Sequence, residues 1–259
     1  MTVKSKMPVL FIGHGSPMNA IFDNSFTRSL KEAAQSIPEP KAIMVISAHW
    51  LTRGTFVTCV DQPKQIYDFY GFPDELYTVV YQPSGGKEYA DLVAKELKED
   101  VVCSQEWGLD HASWAVLIHM YPEANIPVFE MSLNRRETER YHYDLGKKLS
   151  FLRENGILII GSGNIVHNLS LMKSEMDDQP YDWAEEFDFY IRDCLLSKRH
   201  ESLITHETMG VTAELSIPTN DHYLPLLYVA ALQEENEKVD FFYEGIHHGS
   251  ISMRCLKIT

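Results

Sequence analysis

Short, continuously apolar segments alternate along the chain with longer segments in which apolar positions recur at helical spacing. The apolar segments have the length of buried strands and span residues 8–12, 42–47, 126–133 and 157–160. The longer segments predict helices over residues 24–36, 87–98, 110–121, 136–153, 181–198 and 221–233. Two further segments, 239–243 and 251–258, predict additional strands.

The predicted strands are apolar throughout instead of alternating between apolar and polar residues. Such strands are typical of a sheet that is buried on both faces. Their alternation with helices predicts an α/β protein with a mostly parallel central sheet flanked by helices. The sequence has no internal repeat, no low-complexity tract and no long Pro/Gly linker, so residues 1–259 are predicted to form a single domain.

The charge, the lengths of the apolar runs and the cysteines argue against several classes of protein. The chain carries 37 acidic and 23 basic residues, for a formal net charge of −14, which predicts no nucleic-acid partner and no anionic membrane partner. No apolar run approaches the ~20 residues of a membrane span, and no secretory signal is evident, so a cytoplasmic protein is expected. The cysteines, Cys59, Cys103, Cys194 and Cys255, are far apart and form no C-x-x-C pair, which disfavours disulfides and cysteine-ligated zinc.

Histidines follow three of the predicted strands. His14, His49 and His167 come after the first, second and fourth strands, and His222 lies at the start of the last predicted helix. Ligands of open α/β sheets bind beyond the carboxyl ends of the strands, where helix starts also lie. Any one of these histidines alone is typical of a buried residue that hydrogen-bonds a carbonyl. The convergence of four favours a site for a divalent transition metal such as Fe, Zn, Cu or Ni.

A fifth histidine, His111, lies at a predicted helix start, where the helix dipole favours neutral imidazole, a proton acceptor at neutral pH. The alternative is an exposed first-turn residue.

The aromatic segment 67–73 either lines a substrate pocket or packs as a loop. The other histidines are predicted to be structural: His119, His142, His200, His206, His247 and His248.

Five motif blocks together resemble a known enzyme family. The blocks are Gly-His-Gly-Ser-Pro at 13–17, Ser-Ala-His-Trp at 47–50, Trp-Gly-Leu-Asp-His-Ala-Ser-Trp at 107–114, Gly-Ser-Gly-Asn-Ile-Val-His-Asn at 161–168 and Asp-His-Tyr-Leu-Pro at 221–225. They resemble the DOPA 4,5-extradiol dioxygenases, which are class III, LigB-like ring-cleaving dioxygenases. The similarity extends from about residue 7 to 258 and is closest to the bacterial type.

The resemblance implies an Fe(II)-dependent enzyme that opens a catechol ring with O₂. It matches His14, His49 and His222 to the metal ligands. It matches His167 to a further active-site histidine that is either a ligand or an acid/base, and His111 to a residue of substrate binding or proton transfer. Zn(II) is a plausible occupant of the same site, and the expected assembly is a monomer or small homo-oligomer.

One departure from class III enzymes concerns the third ligand. Many class III members use two histidines and a glutamate, whereas the matching position here is His222, preceded by Asp221. An all-nitrogen ligand set keeps more positive charge and favours zinc. A zinc-dependent hydrolase and a non-catalytic metal-binding protein on the same fold therefore stay open as alternatives. L-DOPA, caffeate and other para-substituted catechols are equally compatible with the motifs.

Overall fold

The computed structural model describes residues 6–259 and places a central eight-stranded sheet between two layers of helices. The strands are β1 (Val9–Gly13), β2 (Ala42–Thr52), β3 (Thr55–Thr58), β4 (Val101–Ser104), β5 (Val128–Asn134), β6 (Ile157–Gly163), β7 (Val239–Tyr243), β8 (Ile246–His247), β9 (Ile251–Ser252) and β10 (Cys255–Ile258). The helices are α1 (Ser25–Gln35), α2 (Lys87–Glu96), α3 (His111–Met120), α4 (Glu139–Lys148), α5 (Ser150–Glu154), α6 (Asp182–Leu196), α7 (His200–Ile204), α8 (Val211–Ser216) and α9 (Leu224–Ala231). No helix in the described range is long and apolar enough to cross a membrane.

The strands of the main sheet lie in the order β4-β3-β5-β2-β6-β1-β10-β7, and β8 pairs with β9 separately. The four strands β5, β2, β6 and β1 at the centre are mutually parallel. Antiparallel pairs join β3 to β5 and β10 to β1 and β7. This arrangement confirms the predicted mostly parallel sheet, and it brings the carboxyl ends of the central strands to one edge.

Alternate residues of each central strand enter two different cores. On β1, Val9 and Phe11 pack into the core shared with α6 and α9, whereas Leu10 and Ile12 pack into the core shared with α1 and α3. Side chains of a strand point alternately to opposite faces, so a sheet covered on both faces needs apolar residues at every position. The continuous apolar runs therefore reflect burial of the sheet on both faces, as predicted.

Several predicted elements differ in extent from the observed ones. The predicted helix 136–153 is divided, because the buried Leu149 has ψ −3° and donates its N–H to Gly146 O, three residues back, at 3.0 Å. The predicted strand 251–258 is interrupted before β10, where the buried Arg254 guanidinium pairs with Asp188. The short strands β3 and β4 were not predicted, because each has only four residues.

The expectation of no disulfide is wrong. Cys59 and Cys103 are bonded, with a Cα–Cα distance of 5.5 Å, although 44 residues separate them. Cys59 follows β3 directly, and Cys103 lies in the neighbouring parallel strand β4. The distance between Cys59 and Cys103 along the chain gave no sign of this bond, because it depends on the pairing of β3 with β4, which were not predicted.

His142 makes the free energy of unfolding depend on pH. It is a buried residue of α4 whose Nδ1 is 2.9 Å from the hydroxyl of Tyr228 on α9, and burial lowers its pKa from 6.5 to about 4. Between these two pH values the unfolded chain binds the proton and the folded chain does not. Stability therefore falls as the pH drops from 6.5 toward 4, by up to roughly 3 kcal/mol from this residue.

The variant His142→Gln tests this contribution, because glutamine does not titrate and can keep a hydrogen bond to Tyr228. Urea unfolding of both proteins between pH 4.5 and 7.5 measures the two slopes. We expect a shallower decline of stability in the variant, and parallel pH profiles would contradict the role of His142.

Candidate active site

Five histidines meet at the carboxyl edge of the central strands. The ring centroids of His14, His49 and His222 form a triangle with sides of 5.1, 5.3 and 4.9 Å. His111 lies 4.1 Å from His49, and His167 stacks on His222 at 3.5 Å with an interplanar angle of 7°. The structure thus brings together every histidine that the sequence marked as a candidate.

Three of these residues are positioned by the end of an element. His14 follows β1, His167 follows β6, and His111 is the first residue of α3. Two placements differ from expectation. His49 lies within β2, in a stretch where the pairing with β5 shifts register, and His222 lies in the turn before α9, which begins only at Leu224. The strand therefore continues past the predicted end, and the helix begins later than Asp221.

The Nδ1 atoms of the triangle are all held by hydrogen bonds. Ser162 donates its hydroxyl to Ala112 O at 2.7 Å, so it accepts from His14 Nδ1, 3.0 Å away. Asp68 accepts from His49 Nδ1 at 3.1 Å, and Asp221 accepts from His222 Nδ1. With its Nδ1 protonated, each neutral ring presents an unprotonated Nε2 as a lone-pair donor.

The Nε2 atoms of His14 and His49 are only 3.2 Å apart. Two lone pairs at this distance repel each other unless a positive charge lies between them. Burial and the neighbouring histidines hold the pKa of His14 well below 6.5. Burial also opposes protonation of His49, but Asp68, Asp110 and Asp221 together raise its pKa above 6.5. The cluster is therefore built to bind a cation, either a proton on His49 or a metal ion.

Asp68 joins two of the histidines and was not predicted as a site residue. Its Oδ2 accepts from His111 Nδ1 at 2.8 Å as well as from His49, and its Oδ1 accepts the His111 backbone N–H at 2.9 Å. Burial alone would raise its pKa, but the hydrogen bonds from the two histidines lower it well below 3.8. The only sequence signal was an acidic residue inside the aromatic segment 67–73.

His111 is fixed by a buried polar network at the start of α3. Asp110 caps the helix, since it accepts the Ala112 N–H at 3.0 Å and the Ser47 hydroxyl at 2.7 Å. Glu130 of β5 in turn accepts the Asp110 N–H at 2.9 Å. The network ties α3 to β2 and β5, so the ring of His111 has little freedom to move. The alternative of an exposed first-turn residue is wrong for His111, which is buried.

A cavity of about 670 Å³ opens over the histidine cluster. Phe69 and Phe72 of the aromatic segment line this cavity and also pack against the core, so the segment packs as a loop and lines a pocket. That the pocket receives a substrate stays a prediction. His247 and His248, which were expected to be structural, also line the cavity. The sequence carries no local sign that His247 and His248 line the cavity, because the pairing of β8 with β9 brings them to it.

The remaining histidines have structural partners. His119 Nε2 is 2.7 Å from the carbonyl oxygen of Asn19, and His200 bonds the hydroxyl of Tyr143 and the side-chain oxygen of Gln233. His206 is buried against Tyr223.

The sequence matches a protein-family model over residues 7–253, that of the catalytic LigB subunit of aromatic ring-opening dioxygenase. It is 42% identical to the 4,5-DOPA dioxygenase extradiol of Escherichia coli K12, over 98% of this chain and 95% of that protein. It is 37% identical to the Beta vulgaris protein of the same name, over 96% of this chain and 95% of that protein.

The structure is also similar to a solved one. The crystal structure of an uncharacterized protein from Escherichia coli K12 superposes with a TM-score of 0.85 and 39% sequence identity. The match covers 98% of this chain and 100% of that chain.

Proposed function

The chain belongs to the LigB family of aromatic ring-opening dioxygenases, and we propose that it opens the ring of a catechol such as L-DOPA with O₂ by extradiol 4,5-cleavage. The product expected from L-DOPA is the ring-opened seco-DOPA semialdehyde. Family membership confirms the resemblance carried by the five motif blocks, and the names of the relatives support the substrate. The observation that carries the proposal is the convergence of His14, His49 and His222 beneath the cavity.

We propose that His14, His49 and His222 hold the metal. Metal-ligating histidines almost always donate their second ring N–H to a neighbouring group, and all three do so here. His167 stacks on His222, and we propose for it an acid/base role, with ligation as the alternative. Ring nitrogens of His14, His49 and His111 lie within 4.8 Å of one another, and so do ligand atoms of His167, Asp221 and His222. The motif match assigns His111 to the substrate and His222 to the metal.

Fe(II) bound there would hold a catechol and O₂ side by side, exchange electrons with both and acidify the catechol hydroxyls. Zn(II) would fit the same nitrogen atoms but has no redox chemistry.

The chain's own residues would move the protons. Burial, followed by the charge of His222, lowers the pKa of His167 to about 2, and burial likewise lowers the pKa of His111. Both rings are therefore neutral at pH 7, so each carries an unprotonated nitrogen toward which a catechol hydroxyl can donate. Asp68 bonds His111 Nδ1, so it stabilises the imidazolium that forms and keeps His111 Nε2 as the exchanging atom. The same proton is then returned as the ring opens.

Oxygen uptake by protein loaded anaerobically with Fe(II) tests the proposed function. We expect one O₂ consumed for each L-DOPA, with a yellow ring-opened product, and no uptake with Zn(II). An absence of uptake with iron present at stoichiometry would refute the dioxygenase proposal. Metal-dependent hydrolysis without oxygen consumption would instead support the zinc hydrolase.

Asp68→Asn tests the carboxylate that orients two of the histidines. Asparagine keeps the size of the side chain but removes the charge that holds two Nδ1–H groups. We expect the affinity for Fe(II) and kcat/KM each to fall about 10- to 100-fold, as is typical when a residue behind a metal ligand is lost.

The matched control is Asp74→Asn, because Asp74 is an exposed acid six residues further along, at the start of a short 3₁₀ helix. Metal titration and steady-state kinetics of both variants measure the effect, and thermal melting shows whether each is folded. Unchanged metal affinity in folded Asp68→Asn would contradict the orienting role.

A further inference from the structure

We propose that the cavity selects catechols whose para substituent is uncharged and apolar and discriminates against a carboxylate tail. The inference rests on the proposed ring opening and deepens it by naming the substrate class. A catechol whose tail carries a carboxylate as its only charge would then be a weaker substrate than a catechol with an apolar tail.

Apart from its histidines, the cavity is lined mostly by apolar residues. The large hydrophobic side chains include Met18, Phe22, Phe72, Leu169, Met172 and Met176. Three of them are unusually exposed for their size: Phe22 at 40%, Leu169 at 62% and Met172 at 42%. Exposed apolar residues that line a shared cavity are typical of a ligand-binding groove. A volume of about 670 Å³ also lies in the range of pockets that bury ligands larger than a single ring.

The cavity wall carries no countercharge for an acid. Within residues 6–259, no lysine or arginine lines it, and its one carboxylate, Asp68, is bound to His49 and His111. A substrate carboxylate against the apolar wall would give up part of its hydration and gain no ion pair in return, which is unfavourable. The net charge of −14 adds repulsion at longer range.

Lys173 follows the cavity-lining Met172 along the chain, but its charge is used elsewhere. Its ammonium lies 4.4 Å from the centre of the Tyr181 ring and donates to Gln179 O. Its backbone N–H also donates to His248 O at 2.8 Å. The ammonium is therefore bound outside the cavity, and Lys173 is not among the residues that line it.

Of the two histidines of the wall, His248 donates from Nδ1 to Lys173 O at 3.1 Å, so that nitrogen is already bonded to the backbone. Burial, followed by the charge of His248, lowers the pKa of His247, which favours its neutral form. His247 is therefore suited to a hydroxyl, amide or ester better than to an anion.

A matched pair of catechols tests the inference. Dihydrocaffeate and its methyl ester share the ring and the tail length and differ in one charge. Calorimetry under anaerobic conditions with the Fe(II)-loaded protein measures both Kd values, and oxygen uptake measures both kcat/KM values. We expect the ester to bind at least about tenfold more tightly and to react correspondingly faster. Equal or tighter binding of the acid would overturn the inference.

The variant Met172→Arg supplies the missing cation at an exposed position, and Met172→Gln is the control for polarity without charge. We expect arginine to improve binding of the acid relative to the ester by about tenfold, and glutamine to leave the preference for the ester. If arginine folds and does not shift the preference, Met172 does not face the tail and the inference fails.

Failure of the inference and failure of the proposed function give different results. Ring opening of both compounds with the acid preferred would leave the dioxygenase standing and overturn the inference. Tighter binding of the ester without opening of either compound would support the inference and refute the dioxygenase. Binding of neither compound would overturn both.

Discussion

His14→Ala loses the metal ion and at least about a thousandfold of ring-opening activity. His14 is buried, and its Nε2 lies 3.2 Å from that of His49, so both atoms face the place where the cation would bind. A catalytic metal contributes several kcal/mol to transition-state stabilisation, and each 1.36 kcal/mol is a factor of ten in rate. Metal analysis together with oxygen uptake measures both losses.

The control for His14→Ala is His200→Ala. His200 is also partly buried, but it bonds Tyr143 and Gln233 and does not line the cavity. We expect this variant to keep its iron and its activity. Stoichiometric iron and near-normal turnover in His14→Ala would show that the metal binds elsewhere.

His167→Ala separates proton transfer from metal binding. We expect kcat to fall by about 10²- to 10⁴-fold, the usual contribution of a general acid or base, while the iron content stays unchanged. Because His167 lines the cavity, its removal leaves room for a small base. Imidazole added to the solution is therefore expected to restore part of the activity.

The same variant tests the alternative assignment of His167. If this residue is a fourth ligand, His167→Ala loses iron, and added imidazole restores metal content and activity together. Iron loss would contradict the acid/base role. Near-normal kcat with full iron content would exclude both roles.

Sequence patterns predicted the fold well because a sheet that is buried on both faces needs strands that are apolar at every position. Residues such as Leu10 and Phe11 enter different cores, so the whole of β1 is apolar. Helix boundaries failed where tertiary structure decides them. Leu149 gives no local sign that α4 ends, because its backbone is set by its burial.

The candidate histidines were predictable because parallel topology brings the ends of separate strands to one edge. Asp68 was not, since its position beside His49 and His111 depends on how a long loop folds across that edge. The disulfide of Cys59 and Cys103 depends on the pairing of two short strands. In each case the information lies in contacts between segments and not in local periodicity.

Anomalous diffraction from crystals of the metal-loaded protein tests the proposed centre most directly. We predict one peak about 2.0–2.2 Å from the Nε2 atoms of His14, His49 and His222, with His111 and His167 outside bonding distance. A peak ligated by His14, His49 and His111, or by His167, Asp221 and His222, would contradict this ligand set. The absence of any peak at the histidine cluster would remove the metal centre on which the proposed chemistry depends.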